Sequence, residues 1–220
     1  MKRAITLGLA AAAMTAAVVG GVSGIARADD VEATTGEQYH LRLHHLHTGE
    51  DIDVVYRVGD TYLPEGMARL NRFLRDHRTD AESHYDPREF DLLHSLMEKL
   101  GRPNGVIDIV CGYRTPWSNN FLRTRSANTG VAEHSQHMEA KAIDIRVPGV
   151  ATAKLRDTAL SLHEGGVGYY PVSQFVHVDV GPVREWSYGV ARRRLASHTM
   201  VARAGRRGHR SYRSSPAAGE

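Results

Sequence analysis

Intrachain disulfides are excluded by composition, because the chain of 220 residues has a single cysteine, Cys111. A secreted protein can still carry one buried thiol, so that count does not fix the compartment. No internal repeat recurs, which argues against a solenoid. No long linker precedes about Tyr188, so the chain reads as one domain, long enough for one well-buried core. A regular βαβ rhythm is missing, and with it the case for a parallel doubly wound sheet. Positive charge is also missing where a nucleic-acid binder would need it. The chain carries +3 overall, but residues 1–28 hold +3 and residues 190–220 hold +7, leaving −7 on residues 29–189. An acidic folded region speaks against nucleic-acid partners.

The apolar residues at the start have a different explanation from a core. Lys2 and Arg3 precede the apolar run Ile5–Gly24, and Ala26-Arg27-Ala28 forms an A-x-A cleavage pattern before Asp29. We read residues 1–28 as a secretory signal peptide, with no stable membrane insertion once it is removed. A periplasmic or secreted location follows. Residues 29–38 form a polar lead-in, 39–189 the domain, and 190–220 a basic tail rich in arginine, with no expected fold.

Within the domain, hydrophobic periodicity marks the elements. Residues 39–47 and 52–58 alternate around a Thr48–Asp51 turn and predict a hairpin. Of the histidines there, His40, His44, His45 and His47 are expected to be exposed or on an edge strand. Pro64 opens a helix with Met67, Leu70, Phe73 and Leu74 on one face. Asp86-Pro87 starts another, with Asp86 as N-cap and Phe90, Leu93, Met97 and Leu100 as its stripe. A strand at 106–110 leads to a short helix from Pro116. Residues 142–147 form a strand, 154–163 a helix, and 167–170 with 175–180 a last hairpin. Mixed strands and helices of this kind predict an α+β fold, a small mainly antiparallel sheet backed by helices.

Two strands carry the chemistry. Side chains alternate across a strand, so Asp144 shares a face with Ala142 and Arg146, while Ile143, Ile145 and Val147 face the core. His177 and Asp179 share a face in the last strand, opposite Val176, Val178 and Val180. If the strands are neighbours, Asp144 and His177 meet on one face, and His137 can fold over from the preceding loop. A buried carboxylate and two imidazoles would be costly without a cation. Two histidines and one carboxylate are a ligand set for a catalytic zinc, which keeps three protein ligands and leaves a fourth position open. Zinc would lower the pKa of a bound water to about 7 for attack on an amide. Such hydrolysis needs a base and a group for the oxyanion. Asp179 is the expected base, and Arg114 the expected partner of the oxyanion or of a substrate carboxylate.

Gly112-Tyr113-Arg114, Ser135-x-His137-x6-Asp144 and Phe175-Val176-His177-Val178-Asp179 together resemble the zinc D-Ala-D-Ala peptidase superfamily, and within it the murein endopeptidase K type. The resemblance spans about Tyr39 to Trp186 and includes Gly165–Pro171. It implies that His137, Asp144 and His177 bind Zn2+, that Arg114 stabilises the tetrahedral intermediate or positions the peptide, and that the substrate is a peptide bridge of peptidoglycan. Two departures stand out. Ala140 replaces a glycine common among relatives. Gln174, which cannot act as a base, occupies the place where related dipeptidases carry a glutamate. The expectation is therefore a monomeric, exported zinc metallopeptidase of the cell envelope acting on peptidoglycan. The alternative is a peptidoglycan-binding module of the same fold without catalysis.

Overall fold

The computed structural model describes residues 36–125 and 129–189. The expected signal segment, most of the lead-in, part of the 126–133 loop and the basic tail lie outside the described residues. Among the described residues, eight strands form one sheet: β1 Gln38–His45, β2 Asp51–Val58, β3 Thr61–Tyr62, β4 Val106–Cys111, β5 Ala142–Arg146, β6 Gly166–Tyr170, β7 Phe175–Asp179 and β8 Arg184–Ser187. Their order across the sheet is β3-β2-β1-β4-β5-β7-β6-β8. Only β1 with β4 and β6 with β8 pair in parallel; the other neighbours are antiparallel. The α+β expectation is met, with two strands added: β3 and β8 were not anticipated, because their two and four residues show no apolar alternation.

Four helices among the described residues accompany the sheet: α1 Pro64–Phe73, α2 Arg88–Lys99, α3 Pro116–Thr124 and α4 Thr152–Leu160. α1 packs on β2, α2 on β1, and α4 on β6 and β7. α2 begins one residue later than the Asp86 signal implies, yet the Asp86 carboxylate still accepts the Arg88 amide at 3.1 Å. Phe90, Leu93, Leu96 and Met97 are buried on its inner side. Each contributes about 1.5–3 kcal/mol by leaving water.

The expectation for His45 needs correction. β1 is an interior strand between β2 and β4, and His45 keeps the inward phase of Leu41 and Leu43. Its ring is fully buried, and its Nδ1 accepts the amides of His47 and Thr48 at 3.2 and 3.3 Å. Burial, helped by nearby His47, pushes its pKa down to about 4, so it packs as a neutral ring.

The register of the central strands matters most for function. Asp144 of β5 lies directly opposite His177 of β7, and Ala142 opposite Asp179. On the other flank of β7, Gly168 faces His177, Gly166 faces Asp179, and Tyr170 faces Phe175. One face of three strands therefore carries Asp144, His177, Asp179 and Tyr170. The opposite face carries Ile143, Ile145, Val167, Val176 and Val178, all buried in the core. A one-residue slip of β7 would exchange these two sets, so burial of the apolar set fixes the polar one.

Glu89 of α2 is the anomaly of this core. It is fully buried, and neither carboxyl oxygen has a hydrogen-bond partner. The nearby Val180 amide, which would favour its anion, already donates to the Lys141 carbonyl at 3.1 Å. Burial, reinforced by the negative charges of Asp179 and Asp86, raises its pKa well above the usual value of 4.5. A carboxyl raised in this way favours the fold in acid, and that contribution is lost as pH climbs from 4.5 through the folded-state value. Glu89→Met should therefore stabilise the protein at neutral pH by about 1–3 kcal/mol, by removing an unpaired buried polar group. Thermal unfolding at pH 5 and pH 8 checks this, with the larger gain expected at pH 8.

Candidate metal centre

His137 lies in a single 3-10 turn, Gln136–Glu139, between α3 and β5. The Ser135 hydroxyl accepts the His137 amide at 3.4 Å and starts the turn. Ala140 ends it with φ 51°, in the left-handed region. A glycine would adopt that backbone more easily, by about 1–2 kcal/mol. The Ala140 methyl is, however, fully buried, which returns about 0.8 kcal/mol. The burial offsets part of the backbone cost, so an alanine is tolerated at this turn.

The segment after β4 grips the turn. The Arg114 amide donates to the His137 carbonyl at 3.2 Å. The His137 ring reaches back so that Nδ1 lies 2.8 Å from the Gly112 carbonyl oxygen. A carbonyl can only accept, so Nδ1 carries the hydrogen and Nε2 presents its lone pair. Arg114 is itself anchored through the next residue. The buried Asp76 carboxylate accepts both the Thr115 amide and its hydroxyl, at 2.8 and 2.7 Å, while Thr115 caps α3.

His177 is aimed from the other side. Its Nε2 lies 2.9 Å from Asp179 Oδ2, so Nε2 holds the hydrogen and Nδ1 the inward lone pair. Asp179 is fully buried and saturated. Arg184 donates to both its oxygens, at 3.0 and 2.8 Å, and the Gly166 and Gly181 amides donate to Oδ1. Burial raises the Asp179 pKa, but His177 and Arg184 more than offset it and bring it to about 2.

Three acceptor atoms now converge. His137 Nε2 and His177 Nδ1 are 3.0 Å apart, and Asp144 Oδ1 lies 3.2 Å from the first and 2.9 Å from the second. All three residues are buried. A proton on either nitrogen can lie along one of these contacts; a dication satisfies all three. Ligand atoms at about 2.0–2.1 Å from a tetrahedral zinc would be about 3.3 Å apart, close to the separations seen. The site therefore fits a zinc ion on geometry and on donor chemistry. Burial and the Arg114 charge push His137 down to about 4, so its lone pair is free at neutral pH. Burial works against the Asp144 anion, yet His137, His177 and Arg114 outweigh it and hold the carboxyl well below its usual range.

Cys111 offers a competing third donor, since its Sγ lies within 4.8 Å of ligand atoms on His137 and Asp144. Two facts favour His177. The Cys111 sulfur accepts from Arg114 Nε at 3.0 Å, and burial raises the thiol pKa, whereas a metal ligand must lose that proton.

The structure brings together His137, Asp144 and His177. It moves Asp179 away from the part first given to it. Asp179 cannot serve as base, because it sits behind the His177 ring with every oxygen engaged. Arg114 Nη2 is bound to Asp144 Oδ2 at 2.8 Å, and Nε to Cys111; only Nη1 is without a hydrogen bond among the described residues. Gln174 lies in the β6–β7 turn with φ 57°, outside the cleft. The cleft above the trio is lined by Arg114, His134, Tyr170, Phe175, Trp186 and Tyr188, among others.

Sequence reasoning missed Arg184, Trp186 and Tyr170. The signal was present in the alternating glycines of Gly166-Val-Gly168-Tyr-Tyr170. A Cβ on Gly166 would fall on the Asp179 carboxylate and the Arg184 guanidinium. One on Gly168 would come within 2.6 Å of the Trp186 ring. These glycines are slots. Trp186 lies in the second, its ring 5.1 Å from that of His177 and its Nε1 donating to the Tyr170 hydroxyl at 3.0 Å.

Comparison with known proteins agrees with this geometry. The family model described as peptidoglycan L,D-endopeptidase MepK matches residues 33–186. The protein of that name from Escherichia coli (strain K12) is 44% identical over 146 residues, covering 66% of this chain and 79% of its own. The probable peptidoglycan L,D-endopeptidase MepK of Haemophilus influenzae is 40% identical over 146 residues, covering 66% of this chain and 77% of its own. No solved structure matches.

The slot at Gly168 is open to test. Gly168→Ala should displace the indole and cost about 1–3 kcal/mol, the usual range for overpacking. Denaturant unfolding with intrinsic tryptophan fluorescence checks it, with a red-shifted native spectrum expected.

Proposed function

The chain belongs to the peptidoglycan L,D-endopeptidase MepK family, and from that premise we propose that it is an exported zinc metallopeptidase that cuts amide bonds in the peptide cross-links of peptidoglycan. The observation that carries the reading is the convergence of His137 Nε2, Asp144 Oδ1 and His177 Nδ1 within 2.9–3.2 Å of one another at the floor of an open cleft. A zinc ion held there would supply a Lewis acid and a water of lowered pKa for attack on the amide carbonyl.

The chain's own residues divide the remaining work. Gly112 and Asp179 fix which nitrogen of each imidazole points inward, the usual outer support of a metal-binding histidine. Arg114 neutralises Asp144 through Nη2 and leaves Nη1 for a carboxylate of the peptide. Asp179 is a positioning residue for His177. The proton released from the attacking water needs an acceptor on the cleft wall. His134, exposed on that wall, is the one cleft-lining imidazole among the described residues outside the metal trio, and it takes this role in the proposal. The signal segment and the acidic folded region fit export to the envelope, with the protein acting as a monomer.

Digestion of purified sacculi, followed by mass spectrometry of the released muropeptides with and without chelator, tests the reading. Release that stops with chelator and returns with zinc is expected. Binding to sacculi without release would leave only a cell-wall binding module. His137→Ala, Asp144→Ala and His177→Ala should each abolish zinc retention and release; zinc at full occupancy in any of them overturns the ligand set.

Asp179→Asn distinguishes positioning from proton transfer. A positioning role predicts zinc affinity about 10–100-fold weaker, with turnover largely restored when zinc is in excess. A base predicts unchanged affinity and lost turnover. His134→Gln should keep zinc affinity and lower kcat by about 10²–10⁴-fold, the range for losing a general base.

A further inference from the structure

The cleft contains a hydrogen-bond donor that the metal trio does not use. We propose that Tyr170 is a catalytic residue whose phenol O–H donates to the carbonyl oxygen of the scissile amide as that oxygen gains negative charge. This rests on the peptidase reading above and adds the oxyanion donor that it lacks.

Strand register places the residue. Tyr170 is on the same sheet face as Asp144 and His177, one pair along β6 from Gly168, which faces His177. Two residues along a strand are about 7 Å, so the phenol stands beside the trio rather than over it. It lines the cleft and is half-buried. The ring is held on two sides. It stacks on Phe175, with centroids 4.3 Å apart and planes 14° from parallel, and the Trp186 indole donates to its oxygen at 3.0 Å. That bond occupies an acceptor site on Oη and leaves the hydroxyl hydrogen without an acceptor among the described residues. Burial raises the phenol pKa, so the hydrogen stays in place at neutral pH.

Arg114, which sequence reasoning offered to the oxyanion or to a substrate carboxylate, is less suited to the oxyanion. Its Nη2 holds Asp144 and its Nε holds Cys111. Trp186 Nε1 is spent on Tyr170, and Arg184 on Asp179. A fixed donor beside the reacting carbonyl is the arrangement that favours charge on a transition state more than on a ground state. Trp186 is then a positioning residue: it does not touch the amide but aims the group that does.

Tyr170→Phe keeps the stack on Phe175 and removes only the hydroxyl. With a soluble cross-linked muropeptide and zinc-loaded protein, kcat should fall by about 10²–10³-fold, with KM within about twofold and zinc content unchanged. A phosphinate peptide that mimics the tetrahedral oxyanion should bind the variant more weakly by a similar factor, while an uncleavable ground-state peptide should not. Trp186→Phe keeps the phenol but frees it, so a loss of about tenfold is expected. In the metal-free protein, the Trp186 indole N–H resonance should shift in Tyr170→Phe. Turnover of Tyr170→Phe within twofold of wild type overturns the proposal, as does a loss confined to KM. Wild type assayed alongside separates the two readings: a wild type that releases no muropeptide overturns the peptidase reading, whereas an active wild type matched by Tyr170→Phe overturns only this one.

Discussion

Three lone pairs aimed at one another without a proton for each are the constraint on which this structure depends. No arrangement of neutral side chains makes that contact comfortable. His137 Nε2, His177 Nδ1 and Asp144 Oδ1 are held in it because the outer nitrogen of each ring is already bound, one to the Gly112 carbonyl and the other to Asp179. The aim of the rings is thus decided outside the trio. The Arg114 guanidinium against Asp144, and Arg184 against Asp179, each counter a buried negative charge. Remove the supports and the convergence is free to relax by turning a ring.

Packing against β6 completes the outer layer. Gly166 and Gly168 leave gaps on the face they share with His177, and the gaps are filled by the two side chains of β8 that approach the site. Arg184 fills one and Trp186 the other. Small residues here act as sockets for large ones, so the strand that looks weakest by propensity carries the closest fit. The same face extends to Tyr170, whose hydroxyl meets the indole. Asp144, His177, Asp179 and Tyr170 therefore share one face of β5, β7 and β6, fixed by a register that burial of Ile143, Ile145, Val176 and Val178 enforces from below, and His137 from its turn and Arg184 and Trp186 from β8 join that layer.

Much of this was legible in the sequence, for reasons that can be stated. Alternation in residues 142–147 and 175–180 gave both the strands and the face on which Asp144 and His177 meet. Pro64 and Pro116 marked helix starts because proline suits a first turn. What resisted reading was partner choice. Asp179 and His177 share a face at spacing two, which is compatible with either a base in the cleft or a brace behind the ring. Only the arrival of Arg184 from β8 decides between them. His45 misled in the same way: its strand is central rather than an edge, which depends on β4 pairing with β1 across a separation of some sixty residues. Glu89 was invisible, since nothing local distinguishes a buried carboxyl from an exposed one on a helix.

The position of β8 has a consequence in time. Its residues 184–187 are the last strand of the described chain, and they pair in parallel with β6 at the edge of the sheet. A chain emerging in order acquires His137, Asp144 and His177 before it has the residues that aim the last of them. The cluster is thus completed by the last strand among the described residues, and a molecule cut short before Arg184 would hold His137, Asp144 and His177 and yet lack the clasp that braces Asp179.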